Sequence, residues 1–268
     1  MSTNITEKNY QKLVIQVSLG GLSFCVFDTL TGTAVLLKNF HFDSFNRSSN
    51  IEDLFAEVYQ ANPELTRKYD EVLILHNNNL STFVPEPLFD EAFMGSYLQY
   101  NTKVFETDFF AFDALDIHQM NHVYIPYVNM NNFFIDIYGS FDYKHANTIL
   151  VSKLLEKSKN KDDRKMFVHV CENHFEIVVV QNQNLVFFNS FEYKTPEDFI
   201  YYILFTAEQL QLNPEHFALE LLGSISEGDP IYNRVYTYVR HVTLYDVSTQ
   251  NHPLSETEKR RHFILLHA

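Results

Sequence analysis

An α/β protein of two similar lobes is the fold class this sequence predicts, and two observations carry it. The order strand, strand, strand, helix, strand occurs twice, from near Leu13 and again from near Met166, with the fragments IEDLF and PEDFI at equivalent helix starts. The composition fits that reading. A chain of 268 residues with 46% hydrophobic and 20% charged side chains can bury the core of one large domain or of two lobes, and leaves little for disorder.

In the first unit, Leu13–Ser18 and Leu22–Phe27 read as a β-hairpin turned by Leu19-Gly20-Gly21. Thr31-Gly32 leads into a third strand, Val35–Phe42, where Phe40 and Phe42 alternate with Asn39 and His41 as on a half-buried strand. Ser49 with Glu52 is a capping-box signal; Ile51, Leu54, Phe55 and Val58 trace one helical face to about Ala61, and Val72–Leu75 is a buried strand. Pro85 and Pro87 then precede a predicted helix over Leu88–Tyr100, a strand-like Val123–Ile125, a helix near Met130–Ile137 and another over Ala146–Lys157.

The polar run KSKNKDDRK marks an exposed turn, after which Met166–Cys171 and Phe175–Val180 form a hairpin across Glu172-Asn173-His174. Leu185–Tyr193 is a third strand, with Phe191 and Tyr193 repeating the earlier aromatic alternation. Thr195-Pro196-Glu197-Asp198 supplies a hydroxyl cap, a first-turn proline and acids at the positive helix end. This helix runs to about Gln211; its segment Phe199–Phe205 is apolar on nearly every side and predicts a buried, central helix too short to span a bilayer. Phe217–Leu222 closes the unit as a strand. The lobes are placed at 1–135 and 136–268, dividing between about Pro126 and Ala146.

Twenty Lys plus Arg against 34 Asp plus Glu give a formal charge of −14, which argues against a phosphate-backbone or anionic-membrane surface. The polar segment Met1–Gln11 has no signal-peptide core, and no apolar run approaches membrane length, so a soluble, cytoplasmic protein without membrane insertion or nucleic-acid binding is expected. Cys25 and Cys171 stand alone in apolar runs and read as buried, reduced thiols.

The stretch LVIQVSLGGLSFCVFD with the later VHVCENHFEIVVVQNQNLVFFNSF, set in that doubled pattern, resembles the actin, Hsp70 and sugar-kinase superfamily with its two ribonuclease-H-like lobes. More closely, it is similar to a family of uncharacterised bacterial proteins, a domain of unknown function with an actin-like ATPase fold. Proteins similar in fold include actin-like cytoplasmic components of pilus and type II secretion assemblies, which act as docking platforms. The resemblance implies a glycine hairpin with an Asp in each lobe and an adenosine-binding glycine pair. Here the first hairpin keeps Gly20 and Gly21, but Gln16 and Ser18 stand where the Asp is expected. The second has no glycine and Glu172 as its acid, and the glycine pair is reduced to Gly223 in Leu222-Gly223-Ser224. With seven glycines in the whole chain, no other glycine-rich phosphate cradle is available.

The expected function is therefore a non-catalytic pseudo-ATPase scaffold that binds a protein partner, with no catalytic residue, cofactor or metal assigned. The alternative is a nucleotide-binding switch, ATPase or kinase that holds Mg-ATP through Gly20, Gly21, Gly223 and Gly228, with Asp229-Pro230 opening a helix beside the last. Other candidates are set aside. His118 and His122 have helical ligand spacing but no intervening glutamate and read as surface or loop residues; His169 and His174 flank the second hairpin without an obvious third ligand. No GxSxG nucleophile motif occurs, and Asp113 with Asp116 and Glu52 with Asp53 read as turn and helix-cap acids. The aromatic run Asp108–Phe112 with Val123–Ile125 reads as core packing ahead of a docking surface.

Overall fold

Period two along the first strands places Leu13, Ile15 and Val17, and Leu22, Phe24 and Val26, on the face of the sheet that meets the helices. This computed structural model describes residues 8–42 and 51–268. Strands β1 (Gln11–Ser18), β2 (Gly21–Asp28) and β3 (Thr33–His41) form an antiparallel meander, and α1 (Ile51–Ala61) leads through a 3-10 turn to β4 (Glu71–His76), parallel to β1. The capping residue Ser49 lies outside the described residues. Next come β5 (Ser81–Pro85), α2 (Met94–Leu98), β6 (Ala111–Leu115) and β7 (Met120–Tyr124), which form a separate three-stranded antiparallel sheet ordered β5-β7-β6. Helix α3 (Val128–Tyr138) and β8 (Asp142–His145) complete the first sheet, ordered β3-β2-β1-β4-β8.

Helix α4 (Ala146–Lys157) leads into the second repeat of strands and helices: β9 (Lys165–Val170), β10 (His174–Gln181), β11 (Asn184–Glu192), α5 (Pro196–Gln209), β12 (Ala218–Gly223), α6 (Pro230–Tyr238) and β13 (His241–Leu244). Its sheet has the order β11-β10-β9-β12-β13, the first order repeated. Short helices α7 (Glu256–Arg261) and α8 (Phe263–Leu266) end the chain. The repetition extends to an irregularity. A β-bulge separates Val26 from Phe27 against β3 and Val179 from Val180 against β11, each after the sixth residue of an eight-residue strand.

The cores repeat as well. In the first unit, Leu13, Ile15 and Val17 of β1 and Leu22, Phe24 and Val26 of β2 pack with Phe55 of α1 and Phe134 of α3, whose rings lie 5.9 Å apart. In the second, Met166, Val168 and Val170 of β9 and Phe175, Ile177 and Val179 of β10 pack with Phe199 and Ile203 of α5 and Val235 of α6. Phe175 and Phe199 sit 4.3 Å apart, centroid to centroid. Helix α5 starts on the expected capping box: Thr195 Oγ1 accepts from the Asp198 amide at 3.1 Å, and Asp198 Oδ2 accepts from the Thr195 amide at 3.0 Å.

Three expectations need correction. The predicted helix over Leu88–Tyr100 is two 3-10 turns followed by the five-residue α2, because Phe89 is extended and Asp90 Oδ1 accepts locally from Ala92 N at 2.9 Å. A lobe division at residue 135 would cut α3; the compact units are Met1–Thr148 with Ala268 and Ile149–His267. Helix α5 is not buried on all sides: Tyr201 is 60% and Phe205 45% exposed, their rings stacked 6.0 Å apart. Among the described residues, no helix is long and apolar enough to cross a membrane.

Candidate functional site

In each unit the meander's first turn lies at the carboxyl ends of two parallel strands, where open α/β sheets commonly place ligands. The two ends are built alike. Asn77 N, just past β4, donates to Val17 O of β1 at 2.8 Å, and Ser224 N, just past β12, donates to Val170 O of β9 at 2.7 Å.

The first turn is closed by its own side chain. Ser18 Oγ accepts from Gly20 N at 3.2 Å, and Phe42 N donates to Gly20 O at 2.9 Å. Gly21 is required by packing, since a Cβ there would stand 2.3 Å from the Phe40 carbonyl oxygen. In the second unit Gly223 has φ +90° and faces the backbone of Val170, where a Cβ would again fall 2.3 Å from the carbonyl oxygen. Gly228 has φ +95° with open space around it and precedes Asp229, which accepts from Ser226 N at 2.6 Å. Three of the four glycines thus have local backbone reasons to be glycine, and a substitution at Gly21 or Gly223 tests packing before it tests any ligand.

The second turn carries what sequence reasoning set aside. Residues His169 and Cys171 are two apart on β9 and its extension, His174 and Glu176 two apart on β10, and His169 pairs with Glu176 across the ladder. Period two therefore puts all four on one face, while Val168, Val170, Phe175 and Ile177 enter the core on the other. His169 Nδ1 lies 2.8 Å from Glu176 Oε2 and 3.7 Å from Cys171 Sγ; His174 Nε2 lies 3.2 Å from Glu176 Oε1. Cys171 N donates to His174 O at 2.9 Å and Tyr193 Oη to Cys171 O at 2.8 Å, fixing the turn.

Burial alone would push the Glu176 carboxyl up, but hydrogen bonds from His169 and His174 outweigh it and hold the group below the usual range. Burial likewise opposes charge on both imidazoles, yet Cys171 and Glu176 raise them. The Cys171 thiol is pushed up by burial and by Glu176, and the two histidines reverse this and lower it. Cys25, by contrast, is enclosed in the first core and pushed by burial up to about 12, an inert packing thiol. The missing signal was pairing: His-x-Cys followed by His-x-Glu around a two-residue turn converges once the two strands are in register.

A second polar cluster corrects two further readings. Asp113 is no turn acid and His122 no surface histidine; they are 8% and 0% exposed. Asp113 accepts from Thr148 Oγ1 at 2.5 Å, His145 N at 2.9 Å and Tyr124 Oη at 3.1 Å. Because the Thr148 hydroxyl donates to Asp113, His122 Nδ1, 2.8 Å from Thr148 Oγ1, is the donor of that bond. Burial beside His145 holds His122 well below the ordinary range, so it is neutral. In the aromatic run, Phe110 and Phe112 pack on Val84, Leu98 and Val123, whereas Phe109 is 54% exposed.

His76, buried at the end of β4, accepts from Tyr127 N at Nδ1 (3.3 Å) and meets Asn131 Oδ1 at Nε2 (3.0 Å). Burial, only partly offset by Asn131, lowers it to about 4. The unfolded imidazole takes a proton below about 6.5 while the folded one stays neutral, so stability falls as pH drops from about 6.5 to about 4, by about 3 kcal/mol from this group. Urea midpoints measured across that range check it. The His76→Gln variant should show a shallower pH dependence than the wild type, and equal slopes would contradict the assignment.

Two meanders of one strand order, with strand-end turns of matching geometry, define a protein of the actin-like ATPase fold. A Bacteroides thetaiotaomicron protein with that fold and unknown function is similar over 91% of this chain and 94% of its own, with 22% identity and a TM-score of 0.80. A chain of the PilM–PilN type IV pilus biogenesis complex is similar over 95% of this chain and 96% of its own, with 12% identity and a TM-score of 0.56. Residues 1–242 match the family described as "Protein of unknown function (DUF3822)", and the chain belongs to that family. No curated protein sequence matches it.

Proposed function

We propose that this chain is a non-catalytic member of the actin-like ATPase fold that works by binding a protein partner. The observation that carries the reading is the state of the two strand-end turns. The Gly20 amide that would meet a phosphate is bonded to Ser18 Oγ, and the second turn is filled by the His169–Glu176–His174 ion pairs. No carboxylate stands on the β1 side for a metal ion, since Gln16 and Ser18 occupy those positions. The likeness to a chain of the PilM–PilN complex, an assembly of two proteins, supports the partner-binding half. So do Tyr201 and Phe205, an exposed stacked pair on α5.

Thermal unfolding with and without Mg-ATP tests the reading. The expected result is no saturable shift and no turnover. A nucleotide at 100 times its dissociation constant would add about 2.7 kcal/mol to stability; such a gain would favour the nucleotide switch, and ATP turnover abolished by a single substitution would favour an enzyme.

A further inference from the structure

The face of the second turn gathers a donor set that neither a scaffold nor a nucleotide site uses. The ligand atoms of His169, Cys171 and Glu176 all lie within 4.8 Å of one another, and His174 Nε2 approaches the remaining Glu176 oxygen at 3.2 Å. We propose that this hairpin binds one zinc ion through His169, Cys171 and Glu176, with His174 holding the other Glu176 oxygen and a solvent molecule completing the tetrahedron.

The geometry is close to what the ion needs. Tetrahedral zinc with bonds of about 2.0–2.3 Å holds neighbouring ligand atoms about 3.4–3.6 Å apart. The Cys171–His169 separation of 3.7 Å differs from that by a few tenths of an ångström. The 2.8 Å contact between His169 and Glu176 opens by about 0.5 Å when the ion replaces the shared proton. The chemistry agrees with the distances. One thiolate, one imidazole and a carboxylate form a borderline-soft set suited to zinc, whereas magnesium and calcium take oxygen donors. Thiolate and carboxylate carry two negative charges that one divalent cation neutralises, which suits a buried site. Protons on the Cys171 thiol and the His169 ring leave to solvent as the bonds form.

The scaffold holds the donors in place beforehand. His169 and Glu176 are locked by ladder pairing and are 7% and 2% exposed at the side chain, while His174, 33% exposed, leaves a path for the ion.

The experiment uses the full chain, reduced and stripped with chelator, titrated with Zn²⁺ by calorimetry and with Co²⁺ by absorption. The expected result is one ion per chain, with a thiolate-to-cobalt charge-transfer band and the intense visible bands of a tetrahedral ion. Cys171→Ser should abolish the charge-transfer band and weaken zinc binding by about a hundredfold or more, beyond the loss of an outer partner. His174→Gln, which removes the partner of the other Glu176 oxygen, should weaken zinc by about tenfold or more while leaving the circular dichroism spectrum of the apo-protein unchanged. Absence of one-to-one uptake by the wild type would overturn the proposal, as would a cobalt spectrum and zinc affinity unchanged by both substitutions. These outcomes are independent of whether Mg-ATP binds.

Discussion

Gly223→Ala is expected to destabilise the protein by about 3–5 kcal/mol, from backbone strain and overpacking acting together. Its φ of +90° is one that L side chains rarely adopt, and the new Cβ would stand 2.3 Å from Val170 O and 2.8 Å from Val170 N. Neither atom can yield cheaply. Val170 is the last residue of β9, paired with Gly223 in the parallel ladder, and its carbonyl also receives the Ser224 amide. Urea unfolding measures the loss, and two companion glycines separate its causes. Gly228→Ala keeps a positive φ but meets no neighbour, so it should lose only the strain of about 1–3 kcal/mol. Gly20→Ala has no overlap and should stay within about 0.5 kcal/mol of the wild type. A Gly223 variant as stable as the Gly20 variant would refute the close approach.

Asp113→Ala should cost about 3–5 kcal/mol, at about 1–3 kcal/mol for each buried donor left without its acceptor. Three donors converge on that carboxylate, from Tyr124, His145 and Thr148, and without it the His145 amide and Tyr124 hydroxyl are left facing a cavity. Burial raises Asp113 above the ordinary carboxylate range despite those three bonds, and the acceptor oxygens themselves are what the three donors require. Asp113→Asn, which keeps one acceptor oxygen, is therefore expected to recover much of the loss. Unfolding midpoints of the two variants decide the point: a loss below about 1 kcal/mol for the alanine variant would mean that the network reorganises around its absence.

The meanders and their following helices were legible because period-two burial and capping chemistry are local signals. Ile15, Phe24 and Phe175 announce a sheet face, and Thr195 with Asp198 announces a helix start, all within a few residues. Strands β5, β6 and β8 were not legible. Their four or five residues give too little alternation, and the DYKH of β8 is polar enough to pass for a loop. Asp113 passed for a turn acid because its partners lie 11, 32 and 35 residues away. The His169 and Glu176 contact lay only seven residues apart, yet it depends on strand register, which a hydrophobic pattern alone does not reveal.

The paired bulges bear on how this chain avoids joining itself to others. Strands β3 and β11 each end their sheet's order, and a terminal strand presents a row of amides and carbonyls that another chain can copy. An extra residue on the edge strand itself, Val35 opposite the Val26–Phe27 step and Val186 opposite the Val179–Val180 step, increases local twist and breaks the even spacing of that row. The same defect ties sliding to displacement of a fixed kink, so a one-residue slip would carry two penalties. Each bulge thus serves as a guard against strand exchange, placed at the same rung of both halves.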